Sequence, residues 1–305
     1  PLTAALALLT NHAPAATFTW TGATDGNWSV AGNWIGGVPT IANTTDVIIS
    51  STMNVGNMFA GTQSYTVRSL TFDDSNDANT LLNLCATLNP NSGNRTLTFA
   101  SDAGNATLTV ASGSTGSKTI TRLGTNITDI VLSNSLDIIH NGSGTLTLGG
   151  QSRLTGAGGI NKSGTGTLTL SGVNTYTGAT AVTAGKLLGV TGGSCNNSAV
   201  TVASGATNGV RVLSANGRWS AGNLTLSTGT TTAEFDFQAT PSKNVAPMLF
   251  NGDLTNNGTL NVSILSGGFV AGSTYPLIQY TNSLMMAGTL GTATLPNGAV
   301  GALVT

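Results

Sequence analysis

The sequence predicts an all-β fold of the solenoid class, in which short strands stack turn upon turn. Three observations predict it: a strand phrase that alternates Leu or Val with Thr, the recurrence of that phrase along the 305 residues, and glycine-rich corners between the copies. The clearest copies are RTLTF (95–99), ATLTV (106–110), GTLTL (144–148), NLTLS (223–227) and GTLNVSIL (258–265). One strand and its corner cannot bury an apolar face alone, so the repetition indicates turns that stabilise one another.

The first fifteen residues have the features of an export signal. Residues 2–9 form a short apolar run, too short to span a bilayer, and Ala13-Pro14-Ala15 resembles a small-residue cleavage site. We interpret 1–15 as a signal peptide that lacks its initiator Met and basic start. The alternative is an ordinary buried apolar segment.

Tryptophans mark the next segment, 16–94, which we predict to be an N-terminal β cap. Trp20, Trp28 and Trp34 lie within fifteen residues of one another, although the whole chain holds four tryptophans. A first turn without a cover would expose unpaired backbone groups and apolar edges, which invite aggregation. The alternative is a carbohydrate platform, with Trp28 and Trp34 as candidate glycan contacts.

Stacked turns are predicted over 95–265, followed by a closing β segment at 266–305. The repeat at 158–190 is the best-formed phrase of this region. In it, Leu168 and Leu170 point to one face of a strand and Thr167, Thr169 and Ser171 to the other. Outward threonines suit a strand and hydrate its surface without charge.

Residues 159–187 resemble the autotransporter-associated β-strand repeat, also called the passenger-associated transport repeat. The positions that match its pattern are Gly159, Lys162, Gly164, Gly166, Thr167, Leu168, Leu170, Gly172, Asn174, Tyr176, Gly178, Thr180, Val182, Gly185 and Leu187. The resemblance implies a right-handed parallel β-helix in a large exported protein of a Gram-negative-type bacterium, secreted or at the outer cell surface. The flanks at 198–207 and 258–299 are similar to such proteins more loosely.

Composition limits the partners. Only 7% of the residues are charged, against roughly 25% in an ordinary domain, and the net charge is −1. The ten basic residues are spread thinly, so we predict no nucleic-acid partner and no membrane insertion by this segment. The predicted partners are cell-surface glycans or neighbouring copies, and no cofactor is predicted.

A zinc site with four Cys and His ligands is not predicted, since the chain has two of each and His12 lies in the predicted signal peptide. Cys85 and Cys195 lie far apart in the sequence. A disulfide between them would be compatible with export, but two buried free thiols are the preferred interpretation.

Two groups of carboxylates are candidates for a functional site, one for calcium binding and one for catalysis. Asp73–Asp77 could begin a calcium loop, but Ala78 and Leu84 occupy the positions of the glycine and the bidentate glutamate. A solvated turn is therefore preferred there. Glu234 and Asp236 flank Phe235 on one strand face, and we expect them to be exposed if Phe235 and Phe237 face the core.

We predict that the protein is a structural passenger segment, an inert extended scaffold rather than an enzyme. An adhesin or glycan-binding surface module is the first alternative. A polysaccharide-active enzyme that uses Glu234 and Asp236 is the second. Fold alone does not choose among them, because parallel β-helices host all three functions.

Overall fold

The structure is a computed structural model that describes residues 15–50, 64–74, 79–84, 95–122, 128–296 and 301–305. The predicted signal peptide, apart from Ala15, lies outside the described residues, and so does Cys85. Within the described ranges, no helix is long and apolar enough to cross a membrane.

Short strands follow one another through the described chain, with one 3-10 turn at Ala31–Asn33. The first are β1 (Ala16–Trp20), β2 (Trp34–Ile35), β3 (Thr45–Ile49), β4 (Tyr65–Val67), β5 (Ser69–Phe72), β6 (Thr80–Asn83), β7 (Arg95–Phe99), β8 (Ala106–Val110) and β9 (Lys118–Thr121). The middle strands are β10 (Thr128–Leu132), β11 (Leu136–His140), β12 (Thr145–Gly149), β13 (Arg153–Thr155), β14 (Ile160–Ser163), β15 (Thr167–Leu170), β16 (Thr180–Val182), β17 (Lys186–Val190), β18 (Ser194–Cys195) and β19 (Val200–Val202). The last are β20 (Thr207–Val212), β21 (Trp219–Ala221), β22 (Leu224–Leu226), β23 (Thr230–Phe237), β24 (Met248–Phe250), β25 (Leu254–Asn256), β26 (Thr259–Ser266), β27 (Ile278–Tyr280), β28 (Leu284–Met286) and β29 (Thr289–Thr294).

These strands build three faces of a parallel β-helix, which confirms the predicted fold class. Sheet I has twelve strands in the order β2-β1-β3-β5-β8-β11-β14-β16-β19-β22-β25-β28, and sheet II has nine in the order β29-β26-β23-β20-β17-β15-β12-β9-β6. Sheet III consists of two four-stranded parts, β13-β10-β7-β4 and β18-β21-β24-β27. The segment after β15 links the two parts, because Thr175 N donates to Leu154 O (2.8 Å) and Asn174 N to Ser194 O (2.9 Å).

Inward and outward side chains alternate along each strand, so similar inward side chains stack in columns in the interior. Leu146, Leu168 and Leu187 lie in register on successive strands of sheet II, and none is exposed. Neighbouring strands are about 4.8 Å apart, so each leucine packs directly on the next. Thr169 departs from the prediction: it is only 4% exposed on the outer face, beside Leu188, which is 5% exposed.

The parallel sheets extend beyond 95–265 in both directions. β5 pairs in parallel with β8, and β3 pairs in parallel with β5. Part of the segment 16–94, predicted as a cap, therefore already belongs to the β-helix. At the other end, β29 pairs in parallel with β26 and adds a further turn. The repeat phrase is weak in these flanks, but the period-two pattern that drives burial is still present in TDVII and SLTF.

A tryptophan cluster covers the first turn. β2 pairs antiparallel with β1, and Trp28 packs between Trp20 at 6.5 Å and Trp34 at 4.5 Å between ring centroids. Nε1 of Trp34 donates to the carbonyl oxygen of Trp28 at 2.7 Å. The exposed fractions are 0% for Trp28 and 7% for Trp34. The prediction that these two rings contact glycans is therefore wrong, because packing against the end of the helix leaves no indole face for a sugar.

Candidate functional site

The repeat segment at 158–190 and the turns beside it form the candidate site, because five of its polar side chains are buried: Lys162, Thr169, Asn174, Tyr176 and Thr180. The described residues contain no group of three or more His, Cys, Asp or Glu that could hold a metal ion. The site consists of contacts between neighbouring turns of the β-helix.

Glycines allow successive corners to approach closely. A Cβ on Gly159 would overlap the carbonyl oxygen of Ala179, and one on Gly178 would overlap the backbone nitrogen of Gly159. A Cβ on Gly172 would come within 2.6 Å of the carbonyl oxygen of Ser152. Gly164 and Gly185 also have φ of 74° and 68°, values that side chains other than glycine rarely adopt.

Asn174 joins three turns through its side-chain amide. Its Oδ1 accepts from Leu154 N at 2.9 Å, and its Nδ2 donates to the carbonyl oxygens of Gly172 and Ser194, both at 3.0 Å. The residue is 2% exposed. Leu154 N is a buried backbone donor that this amide satisfies. The two carbonyl oxygens also accept backbone hydrogen bonds, Gly172 O from Ser194 N (3.0 Å) and Ser194 O from Asn174 N (2.9 Å).

Replacing Asn174 with alanine is expected to lower the free energy of unfolding by about 2 kcal/mol, because the buried donor Leu154 N loses its partner and two carbonyl oxygens each lose one of two donors. The measurement is equilibrium urea unfolding. Asn197→Ala is the matched control, since Asn197 is exposed and makes one long hydrogen bond of 3.5 Å to Thr175 O. Equal midpoints for the two variants would contradict this role of Asn174.

Tyr176 anchors a second buried network. Its hydroxyl lies 2.7 Å from Oγ1 of Thr180, which in turn lies 2.8 Å from Oγ of Ser198. Burial raises the pKa of Tyr176 well above its usual value and raises that of Cys195 to about 12. Cys195 is a buried free thiol, as predicted, and at that pKa it is chemically inert.

Lys162 is one of two lysines in the repeat, and its ammonium group lies inside the fold. Nζ donates to the carbonyl oxygens of Ser163 (2.8 Å), Gly164 (2.8 Å) and Ala184 (3.2 Å). Three acceptors satisfy the three donors of an ammonium group. The contact ties the corner after β14 to the next turn, while burial lowers the pKa of Lys162 to about 8.

Asp74 is also buried, which corrects the prediction of a solvated turn at 73–77. It is 1% exposed, accepts from Lys118 Nζ at 2.8 Å and from Thr80 Oγ1 at 2.6 Å, and is also bonded by Ser114. Burial raises the pKa of Asp74, but these hydrogen bonds outweigh it and hold the pKa below its usual range. Residues 75–77 of the candidate calcium loop at 73–77 lie outside the described residues.

The carboxylates of Glu234 and Asp236 are each covered by a cation from a neighbouring turn. Lys186 Nζ lies 2.6 Å from Glu234 Oε1, and Arg211 Nε lies 3.1 Å from Asp236 Oδ2. Phe235 and Phe237 face the core as predicted, but the expected exposure of the pair is wrong, since the two carboxylate side chains are 11% and 14% exposed. Burial raises the pKa of Asp236, yet hydrogen bonds from Ser266, Gln238 and Arg211 lower it overall.

Sequence reasoning missed the burial of His140, Lys118 and Asp74. A signal was present for two of them: His140 shares strand parity with Leu136 and Ile138, and Lys118 shares it with Ile120. Period-two alternation therefore placed both side chains on the inward face, where polar residues are uncommon.

Comparison with known families identifies the central segment. Residues 160–188 match the family model described as the passenger-associated-transport-repeat. The chain carries this repeat. The match covers about a tenth of the sequence and confirms the resemblance seen at 159–187. Comparison of the chain with curated proteins and with solved structures gave no match.

In this passenger-associated-transport-repeat, the signature residues are contacts between turns. Lys162 and Asn174 bond the main chain of adjacent turns, and Tyr176 reaches the next turn through Thr180 and Ser198. Leu168, Leu170 and Leu187 stack in the core. The repeat thus joins the turns on either side into one parallel stack.

Proposed function

We propose that this chain is a segment of an exported structural protein of a Gram-negative-type bacterium, secreted or held at the outer cell surface. In that protein it forms an inert, extended scaffold of the passenger type. One observation carries the proposal: the buried polar residues of the repeat bond neighbouring turns instead of facing a ligand. The match of residues 160–188 to a passenger-associated repeat supports it.

The architecture suits a spacer. The twelve strands of sheet I span about 50 Å at about 4.8 Å per strand. Each turn is held by parallel backbone hydrogen bonds to the turns before and after it, so length is added without a larger core. Cell-surface glycans or neighbouring copies remain the proposed partners of its outer faces.

Neither alternative function is supported by a particular site. A glycan platform at Trp28 and Trp34 would need exposed rings, and both rings are buried in the tryptophan cluster. A polysaccharide-active site at Glu234 and Asp236 would need a carboxylate free to exchange protons with substrate. Both carboxylates contact cations of their own chain.

Surface exposure in the native bacterium tests the location. An epitope inserted after Gly104 would sit in the exposed turn at 102–105, where no atom lies within 4 Å of an added Cβ. We expect externally added protease to remove the epitope from intact cells, or the tagged protein to appear in the medium, while a cytoplasmic marker survives. An epitope that is cleaved only after lysis would contradict export.

Small-angle X-ray scattering of the purified protein tests the scaffold. We expect an elongated particle whose long dimension is at least the 50 Å span of sheet I, and resistance of the stacked turns to limited proteolysis. A compact, protease-sensitive particle would contradict the proposal.

A further inference from the structure

Four ionisable side chains line one buried corner of the helix, between sheets I and II. They are Asp74 after β5, Lys118 at the start of β9, His140 at the end of β11 and Lys162 in β14. The exposed fraction is 1% for Asp74 and 0% for the other three. We call this set the polar column. Charged residues are rarely buried so completely unless they are paired.

Charge is compensated unevenly within the polar column. Lys118 and Asp74 form a buried ion pair at 2.8 Å. The ammonium of Lys162 rests on three backbone carbonyl oxygens. In the part of the chain that the structure describes, it forms no ion pair with a carboxylate. With His140 neutral, the column therefore carries one net positive charge, which is tolerated because carbonyl dipoles solvate it.

His140 lies between these groups with little to stabilise a positive ring. A backbone contact with Gly144 favours the protonated ring, but within the described residues neither ring nitrogen makes a hydrogen bond of ordinary geometry. Gly166 of the next turn packs so closely that a Cβ there would overlap the imidazole. The charged groups that face His140 are Lys162 and Lys118, both cationic, and the carboxylate of Asp74 is already paired.

We propose that His140 makes the middle of the solenoid acid-sensitive, so that protonation of its ring opens the corner between β11 and β12 and loosens the turns stacked there. A proton on the ring would place an uncompensated cation in an apolar interior beside two ammonium groups. Such a charge is relieved by admitting water, which requires the neighbouring corners to separate.

The lowered pKa of His140 agrees with this geometry. Burial, followed by the charge of Lys162 and then that of Lys118, lowers the pKa of His140 from 6.5 to about 4. The unfolded chain binds the proton more readily than the folded chain. The stability that His140 contributes is therefore fully present above about pH 6.5 and is lost as the pH falls towards 4. The difference between the two pKa values of His140 corresponds to about a 300-fold decrease in the folding equilibrium constant between pH 6.5 and low pH.

Asp74 acts in a different pH range. Its pKa lies below the usual value of 3.8, so its contribution is lost only at lower pH. The pKa values of Asp25 and Asp236 are also lowered. The window between pH 4 and 6.5 therefore reports His140 rather than these carboxylates.

Urea unfolding of the full chain at several pH values between 4 and 7.5 tests the proposal, with His140→Phe as the comparison. Phenylalanine keeps a ring against Gly166 but cannot be protonated. We expect the folding equilibrium constant of the unaltered protein to fall by up to about 300-fold across the window, and that of His140→Phe to change much less. Parallel pH profiles for the two proteins would overturn the proposal.

Two further measurements keep the test decisive if His140→Phe does not fold. In the unaltered protein, the NMR titration of the His140 ring should give a pKa well below 6.5, and amide hydrogen exchange at pH 5 should lose protection first in β11, β12 and β15. In Lys162→Met, removal of the facing charge should raise the pKa of His140. A folded-state pKa near 6.5, or loss of protection that begins at the tryptophan cluster, would overturn the proposal.

Discussion

Replacing Trp28 with alanine is expected to destabilise the folded protein by about 3–5 kcal/mol, the usual cost of emptying a large aromatic site in a core. Trp28 is 0% exposed and lies at the centre of the tryptophan cluster. Its ring stacks on Trp20, meets Trp34 edge-on and lies 5.5 Å from Tyr65. Removing it would leave the end of the parallel stack uncovered, so we also expect faster aggregation after partial unfolding.

Thermal or urea unfolding followed by circular dichroism measures this effect. Ile35→Ala is the control, because Ile35 lies next to Trp34 on β2 but is 65% exposed. We expect the control to stay within about 0.5 kcal/mol of the unaltered protein. A Trp28→Ala protein as stable as the control would mean that the cluster does not cap the helix. Loss of glycan binding with unchanged stability would restore the platform hypothesis.

Replacing Gly159 with alanine is expected to cost at least about 3 kcal/mol, the upper part of the range for overpacking. The added methyl group would overlap the carbonyl oxygen of Ala179, which accepts a hydrogen bond of 2.9 Å from Ile160 N. The backbone carbonyl of Ala179 cannot move away as the end of a flexible side chain can. The turns that contain β14 and β16 would have to separate, which breaks the ladder between them.

Gly113→Ala is the matched control for this substitution. Gly113 lies in an exposed corner, nothing lies within 4 Å of an added Cβ, and its φ is outside the left-handed region. Alanine there should leave stability unchanged or raise it slightly, because it restricts the unfolded chain. If both variants lose stability equally, the cost is not the contact between turns.

The strands could be predicted because alternation decides burial locally. Leu168 and Leu170 face inward as predicted, and the parallel stack follows from repeating such a phrase. The same rule would have placed His140 and Lys162 inward, since they share strand parity with Ile138 and Ile160. Alternation does not show which groups of other turns these side chains meet, such as Ala184 O at Lys162 and Gly166 at His140.

The wrong predictions share a physical cause. Trp28 and Trp34 were considered as ligand contacts because aromatic rings suit sugars, and Glu234 was expected to be exposed because its neighbour Phe235 is buried. In each case a segment distant in the sequence covers the group: Tyr65 contacts the ring of Trp28, and Lys186 contacts Glu234. Exposure depends on the neighbouring turns as well as on the strand itself.

Periodicity along the chain is enough to predict a stack of short strands with glycine corners and to locate the repeat at 158–190. These features depend on periods of two and about twenty residues, which are present in the amino-acid order itself. The contacts of Lys162 with the carbonyl oxygens of two turns, and the pairing of Asp74 with Lys118, became visible in the three-dimensional structure alone. The register between turns sets those contacts, because it brings Lys162 to Ala184, 22 positions away, and Asp74 to Lys118, 44 positions away.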